Sequence, residues 1–370
     1  MEDAQTEITV QEAEAAAQPE AMPQAEPEVQ PQYVPDEETR NKAIVKSARK
    51  VFSRMGGACC VMFAIAGVLS VLLLLRNALF IDDQNKQLTV LATSVFSTQI
   101  VGMSIACLML RRMPRFIAEP ESFGFGKFLK CVPICIFLAL GGNFAATLLD
   151  NLLGDFLGYS PASSAESMDF IDVPFWGLVL LLAVIGPFFE ELLFRKVLID
   201  RMRGYGERLA VVTSALMFGL MHGNLVQSFY AFLVGLLFGY VYLKSGRLGY
   251  SYGLHLIMNM VTGVIMIEFA KDPSLRDLIM GSSSGIGLIR MEGEVSQTAI
   301  FFSVYSILLT VLSVAGLVLL IVSAKRVRFG SAPLQIPKGC AFSSVWLNLG
   351  MIFFVLLSIG SAVIYIIQTQ

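Results

Sequence analysis

Four side chains of this sequence could move protons in an apolar setting: Glu190, Glu191, His222 and His255. The glutamates are adjacent and interrupt an apolar run, with PFWGLVLLLAVIGPFF before them and LLF after. The histidines are the only two in the chain. A charged residue at the centre of a membrane helix costs roughly 2.5 to 3.5 kcal/mol, so an adjacent pair of carboxylates requires a partner or a purpose. Arg195 follows Glu191 by four residues, the order and spacing that favour an ion pair along one helix face. Glu190 points about 100° away and finds no partner on its own helix. A carboxylate without a partner in low dielectric binds its proton more tightly, which suits general acid–base work.

The histidines lie in short motifs that follow the glutamates. His222 ends SALMFGLMH, with Phe218 four residues before it on one face and Gly219 leaving room for a close helix approach. His255 lies in SYGLHLIMNM and shares its face with Asn259. At about 1.5 Å per helical residue, Glu190 lies about 20 Å from Arg203 and His222 about 21 Å from Arg208, with His255 shallower at about 12 Å from Arg247. Those depths allow convergence in a site open to one membrane face.

Together, Glu190-Glu191-x-x-x-Arg195, Phe218-x-x-x-His222 and His255-x-x-x-Asn259 resemble the three motifs of the CPBP family of intramembrane proteases, which includes the type II CAAX prenyl endopeptidases and relatives associated with bacteriocin self-immunity. The likeness covers roughly residues 174 to 265 and extends to Gly235, Gly239 and Ser245-Gly246. It implies hydrolysis of a peptide bond in a membrane-associated, prenylated or leader-bearing protein near the cytoplasmic face. By that analogy Glu190, aided by His222, activates the attacking water. His255 and Asn259 stabilise the oxyanion, while Glu191 and Arg195 orient Glu190 and Phe218 packs behind His222. Developing charge in such a reaction needs a base and preorganised donors in a dry site, which these residue types supply.

Two further readings use the same residues. Glu190, His222 and His255 could bind a divalent metal such as zinc and leave a water position open. Against this, the sequence has no HExxH helix, and asparagine suits an oxyanion donor better than a zinc ligand. Buried carboxylates and histidines also serve proton- or cation-coupled carriers, but those folds usually carry internal repeats and none is found here. A membrane scaffold without catalysis is the third class.

The elements that must hold these groups are membrane spans. Only 15% of the 370 residues are charged and 55% are apolar, against the quarter charged of an ordinary soluble domain. Secreted disulfide scaffolds, coiled coils and nucleic-acid binders are excluded. Nine apolar runs of near-spanning length are predicted: Met55 to Leu75, Leu88 to Leu110, Phe128 to Leu149, Pro174 to Leu198, Leu209 to Met221, Val226 to Leu243, Tyr252 to Phe269, Ile300 to Val322 and Val345 to Ile367. The fifth is short, and the uncharged His222-Gly223-Asn224 after it allows a tight turn within the membrane. An all-α polytopic bundle in the lipid bilayer follows. With the amino terminus cytoplasmic, 22 of the 27 Lys and Arg fall inside and only Arg76, Lys86, Lys271, Arg276 and Arg290 outside, the asymmetry expected of a plasma-membrane protein of that orientation.

Residues 1–41 differ from the rest. They hold eleven acidic residues and one basic, leaving +8 on the remainder of a chain whose total is −2. Rich in Glu, Gln, Pro and Ala, this stretch reads as a disordered acidic tail able to dock a partner, and it lacks the basic start of a signal peptide. The expected organisation is thus 1–41 tail, 42–170 first spans, 171–270 catalytic core, and 271–370 outer loop, with GSSSGIG as a flexible connector, and last spans. The six cysteines form no CxxC pair, which argues against a zinc ribbon or redox motif.

Overall fold

A computed structural model describes residues 36–80, 86–117, 123–159, 170–273, 275–276 and 296–368. All regular structure among them is helical. Eight helices are long and apolar enough to cross a bilayer, making this an integral membrane protein. In chain order the helices are α1 (Glu37–Phe80), α2 (Lys86–Leu110), α3 (Phe125–Leu157), α4 (Phe175–Tyr205), α5 (Glu207–Leu220), α6 (Leu225–Ser245), α7 (Leu248–Ala270), α8 (Gln297–Ala324) and α9 (Leu349–Gln368). Most outrun the predicted spans at one or both ends, because helices continue past the apolar layer into polar residues that water can solvate.

Three expectations change. The first helix starts at Glu37, inside the predicted tail, where Asp36 Oδ1 accepts from Thr39 N at 2.7 Å and Glu37 and Glu38 sit at the positive helix end. The rest of that tail and the GSSSGIG connector lie outside the described residues. The last span starts at Leu349 rather than Val345, since Asn348 Oδ1 accepts from Met351 N and starts a new helix after the short Ala341–Val345 turn.

The third change concerns the fifth span. Helix α5 has 14 residues, about 21 Å, and is too short to count as a crossing. It forms an antiparallel hairpin with α6. Gly219 faces Ser228 and Phe232, and Gly239 faces Val211, so the helices run against each other along their lengths. A Cβ at Gly219 would stand 2.5 Å from the Ser228 carbonyl oxygen, so only glycine allows this approach. At the turn, Gly223 takes φ +71 and Asn224 Oδ1 caps α6 by accepting from Gln227 N at 2.7 Å. The hairpin therefore enters and leaves on one side, and Lys244 and Arg247 stay with Arg201 and Arg203 however deep the turn reaches.

Four stretches widen to π-helical pitch: Val95–Met103 in α2, Val179–Ile185 and Leu192–Ile199 in α4, and Asn259–Val264 in α7. They lie in the helices that carry the acidic and imidazole groups, and such widening often accompanies functional sites. Helices α8 and α9 keep most of their surface outward, with Ile300, Val304, Ile307 and Val311 exposed as lipid requires.

Candidate active site

Glu190 and Glu191 sit in the short α-helical stretch of α4 between its two widened segments, and both are buried. The predicted ion pair forms: Arg195 Nε donates to Glu191 Oε2 at 3.2 Å, with both side chains fully buried. Arg195 Nη1 donates to Ser214 Oγ, which in turn donates to the Phe194 carbonyl. Arg195 Nη2 has no hydrogen-bond acceptor, and the Phe218 and Phe238 rings, 4.8 and 5.7 Å from the guanidinium carbon, take that place.

Glu191 does more than hold its own helix. His255 Nδ1 lies 3.1 Å from Glu191 Oε1, and His255 Nε2 lies 3.6 Å from Glu190 Oε2. One imidazole thus joins both carboxylates. Ser251, one turn before His255, donates its hydroxyl to the Leu248 carbonyl at 3.1 Å, so α7 reaches Glu191 through His255. With Glu191 tied to Arg195, the His255 Nδ1–H donates to it, which directs Nε2 at Glu190. Phe238 stacks on His255 with ring centroids 4.9 Å apart.

His222 occupies the turn outside the eight crossing helices. Its Nδ1 is 2.8 Å from the Phe218 carbonyl, which can only accept, so Nδ1 carries the proton and Nε2 presents a lone pair. Desolvation is the largest influence on this imidazole and lowers its pKa below the ordinary histidine value, while Glu190 pulls the other way. It is therefore neutral at pH 7 and able to accept a proton. Phe218 stands edge-on to both histidines, with centroids 4.9 Å from His222 and 5.7 Å from His255. One buried ring thus spaces the two imidazoles and covers Arg195.

Asn259 shares the face of His255, but its Nδ2 donates to the Leu182 carbonyl at 2.8 Å. The cause is local. Gly186 N bonds five residues back to Leu181, and the next nitrogen, Pro187, has no N–H for Leu182. Asn259 supplies the missing donor and fastens α7 to α4.

Several participants escape the motif reading. Ser214 and Phe218 on α5 and His222 in the turn after it recur every four residues, as do Ser251, His255 and Asn259 on α7, and extending that period back from each histidine would have found both serines. Gln99, whose Nε2 donates to Glu190 Oε1 at 3.4 Å, is the only amide between Leu88 and Leu110. Phe238 carries no comparable signal beyond its place between Gly235 and Gly239.

Glu190, His222 and His255 are the donors that a metal would have to use. Among the described residues no three His, Cys, Asp or Glu side chains are grouped to hold an ion. One polar atom of each is engaged elsewhere: Glu190 Oε1 by Gln99, His222 Nδ1 by the Phe218 carbonyl and His255 Nδ1 by Glu191. All six cysteines are free thiols.

Residues 172–261 match the family model of type II CAAX prenyl endopeptidase Rce1-like proteins, the segment that holds all three motifs. The chain is 23% identical over 179 residues to "Putative membrane peptidase YdiL" of Bacillus subtilis (strain 168), covering 46% of this chain and 69% of that protein. It is 31% identical over 132 residues to "UPF0177 protein YbdJ" of Lactococcus lactis subsp. lactis (strain IL1403), covering 34% of this chain and 57% of that protein. No solved structure matches the chain. The likeness to the CPBP family read from the motifs is thus met by both a family model and a named membrane peptidase.

Proposed function

We propose that this protein is an intramembrane endopeptidase that hydrolyses a peptide bond of a membrane-associated protein near the cytoplasmic face, by water activated at Glu190. The observation that carries the reading is His255 set between two buried carboxylates, with Nδ1 on Glu191 and Nε2 toward Glu190. Two carboxylates against one guanidinium leave one negative charge in an apolar surround. In this scheme a proton on His255 Nε2 balances that charge, leaves Glu190 to act as the base and supplies the N–H that meets the oxyanion.

In this scheme water adds to the peptide carbonyl carbon as Glu190 takes one of its protons, aided by the neighbouring His222. The carbonyl π electrons move to oxygen, and the His255 N–H donates to that oxyanion. Collapse restores the carbonyl, breaks the C–N bond and passes the proton from Glu190 to the leaving amine. The products are a carboxylate end and an amine end. Preorganised donors in a site without bulk water are the main source of such acceleration. Asn259 supports the scheme by holding α7 against α4, which sets the depth of His255, and its second amide hydrogen is free to join His255 on the oxyanion. No step here runs through a metal.

A prenylated protein is the substrate class in line with the matched family model, and a leader-bearing protein is the alternative. The 22 to 5 division of basic residues supports a cytoplasmic amino terminus. The test is hydrolysis of membrane-anchored reporter peptides by the purified full chain in detergent. Glu190→Gln and His222→Ala should each lower kcat at least about 100-fold. Activity that survives both substitutions sinks the proposal. Insensitivity to a chelator series is expected, whereas activity lost to chelator and restored by zinc would replace the scheme with a metal-dependent one.

A further inference from the structure

Gln99 stands beside Glu190 from a different helix and has no part in the scheme above. Its Nε2 donates to Glu190 Oε1 at 3.4 Å, while its Oε1 is buried and has no hydrogen-bond partner among the described residues. Buried amide oxygens are almost always paired, and an exception in a native fold calls for a functional explanation. The stretch Val95–Met103 is also widened to π pitch, which aims this one amide at the carboxylate.

Distances define what the unpaired oxygen can hold. The oxygen and nitrogen of an amide are about 2.2 Å apart from their bond lengths, so Gln99 Oε1 is at most about 5.6 Å from Glu190 Oε1. One water donating two O–H···O bonds of about 2.7 to 2.8 Å at its near-tetrahedral angle joins acceptors about 4.4 Å apart, a separation inside that limit. Resting on the hydrolase reading, we propose that Gln99 is a positioning residue that seats the attacking water: its Oε1 accepts one water proton while Glu190 accepts the other. With both protons committed, the water presents its lone pairs away from the two acceptors, toward an incoming carbonyl carbon. Gln99 Nε2 at the same time fixes the rotation of the Glu190 carboxylate. The amide thereby orients both the nucleophile and its base, and misplacement by about 1 Å in such a step costs on the order of 100-fold in rate.

The substitution Gln99→Met keeps length and removes both polar atoms. Reporter hydrolysis by the full chain in detergent should show kcat lowered about 10- to 100-fold with KM within about threefold of wild type. The unfolding temperature should change little, since the contact to Glu190 is long at 3.4 Å and methionine fills the same space. A fall in unfolding temperature that tracks the activity loss would assign Gln99 a structural role and overturn the proposal. So would a raised KM at unchanged kcat, which would mean that Oε1 binds the substrate's N–H, or a kcat within threefold of wild type. A second arm does not depend on activity. An experimental density map of the wild-type protein should show ordered solvent within hydrogen-bond reach of both Gln99 and Glu190 that is lost in Gln99→Met, and a map without it refutes the seat. If the wild-type chain hydrolyses no reporter the hydrolase reading fails, and if Glu190→Gln keeps full activity its role as base fails; in either case the density arm still decides whether Gln99 and Glu190 share a water.

Discussion

Replacing Arg195 tests how the buried charges are held. Arg195 Nε and Glu191 Oε2 are 3.2 Å apart and neither side chain is exposed. At an effective dielectric of about 20, unit charges at that separation attract by about 5 kcal/mol. Desolvation of both groups offsets much of that, so the intact pair adds little net stability. Removing one partner leaves the other buried and uncompensated, at a cost of about 3 to 5 kcal/mol. Arg195→Met, which preserves volume, should therefore lower the unfolding free energy of the full chain in mixed micelles by that amount. Glu191→Gln should cost less, because Glu190 lies close enough to act electrostatically on the remaining guanidinium. The double substitution should be less damaging than the two single losses together, with a coupling of about 2 to 3 kcal/mol. Denaturant titration followed by circular dichroism, run on all four proteins, gives each quantity. A coupling below about 0.5 kcal/mol, or an Arg195→Met loss below about 1 kcal/mol, would mean that water or another ion already serves Glu191, and the picture of a dry, mutually compensated group would be wrong.

Other consequences are open to direct measurement. Tyr242 OH donates to buried Asp200 at 2.7 Å, and Tyr242→Phe should cost about 1.5 to 3 kcal/mol in the same titration, with a loss under about 0.5 kcal/mol counting against that bond. Gly219→Ala drives a methyl into the Ser228 carbonyl, so it should lower the detergent unfolding temperature and weaken hydrolysis together, and an unchanged melting curve would contradict the close α5–α6 approach. Asn259→Ala strips the Leu182 carbonyl of its donor and should cost about 1 to 3 kcal/mol of stability as well as rate. Loss of rate with full stability would leave Asn259 acting on the reaction alone.

How much of this was legible beforehand follows the range of each interaction. The Glu191–Arg195 pair was readable because four residues bring two side chains together on any helix, whatever surrounds it. The spans were readable because lipid imposes an apolar length. The short fifth span was legible as an anomaly, but only the α5–α6 pairing makes it half of a hairpin whose ends share a side. Asn259 is legible only in part. Its spacing from His255 implied a joint role, whereas Pro187 on another helix leaves a carbonyl that claims one of its amide hydrogens.

The sequence by itself determined the class of protein and the chemical inventory: a low-charge chain that must be solvated by lipid, and a handful of ionisable groups too costly to keep there without use. Those are properties of composition and of local helix geometry, and they need no knowledge of neighbours. Only the tertiary structure decided which group serves which. His255 bridges two carboxylates, Phe218 separates two imidazoles, and Gln99 reaches Glu190 from a helix 91 residues away in sequence. Partners between helices depend on rotation, depth and pitch, including the widened turns of α2, α4 and α7, and these are set by packing across the bundle.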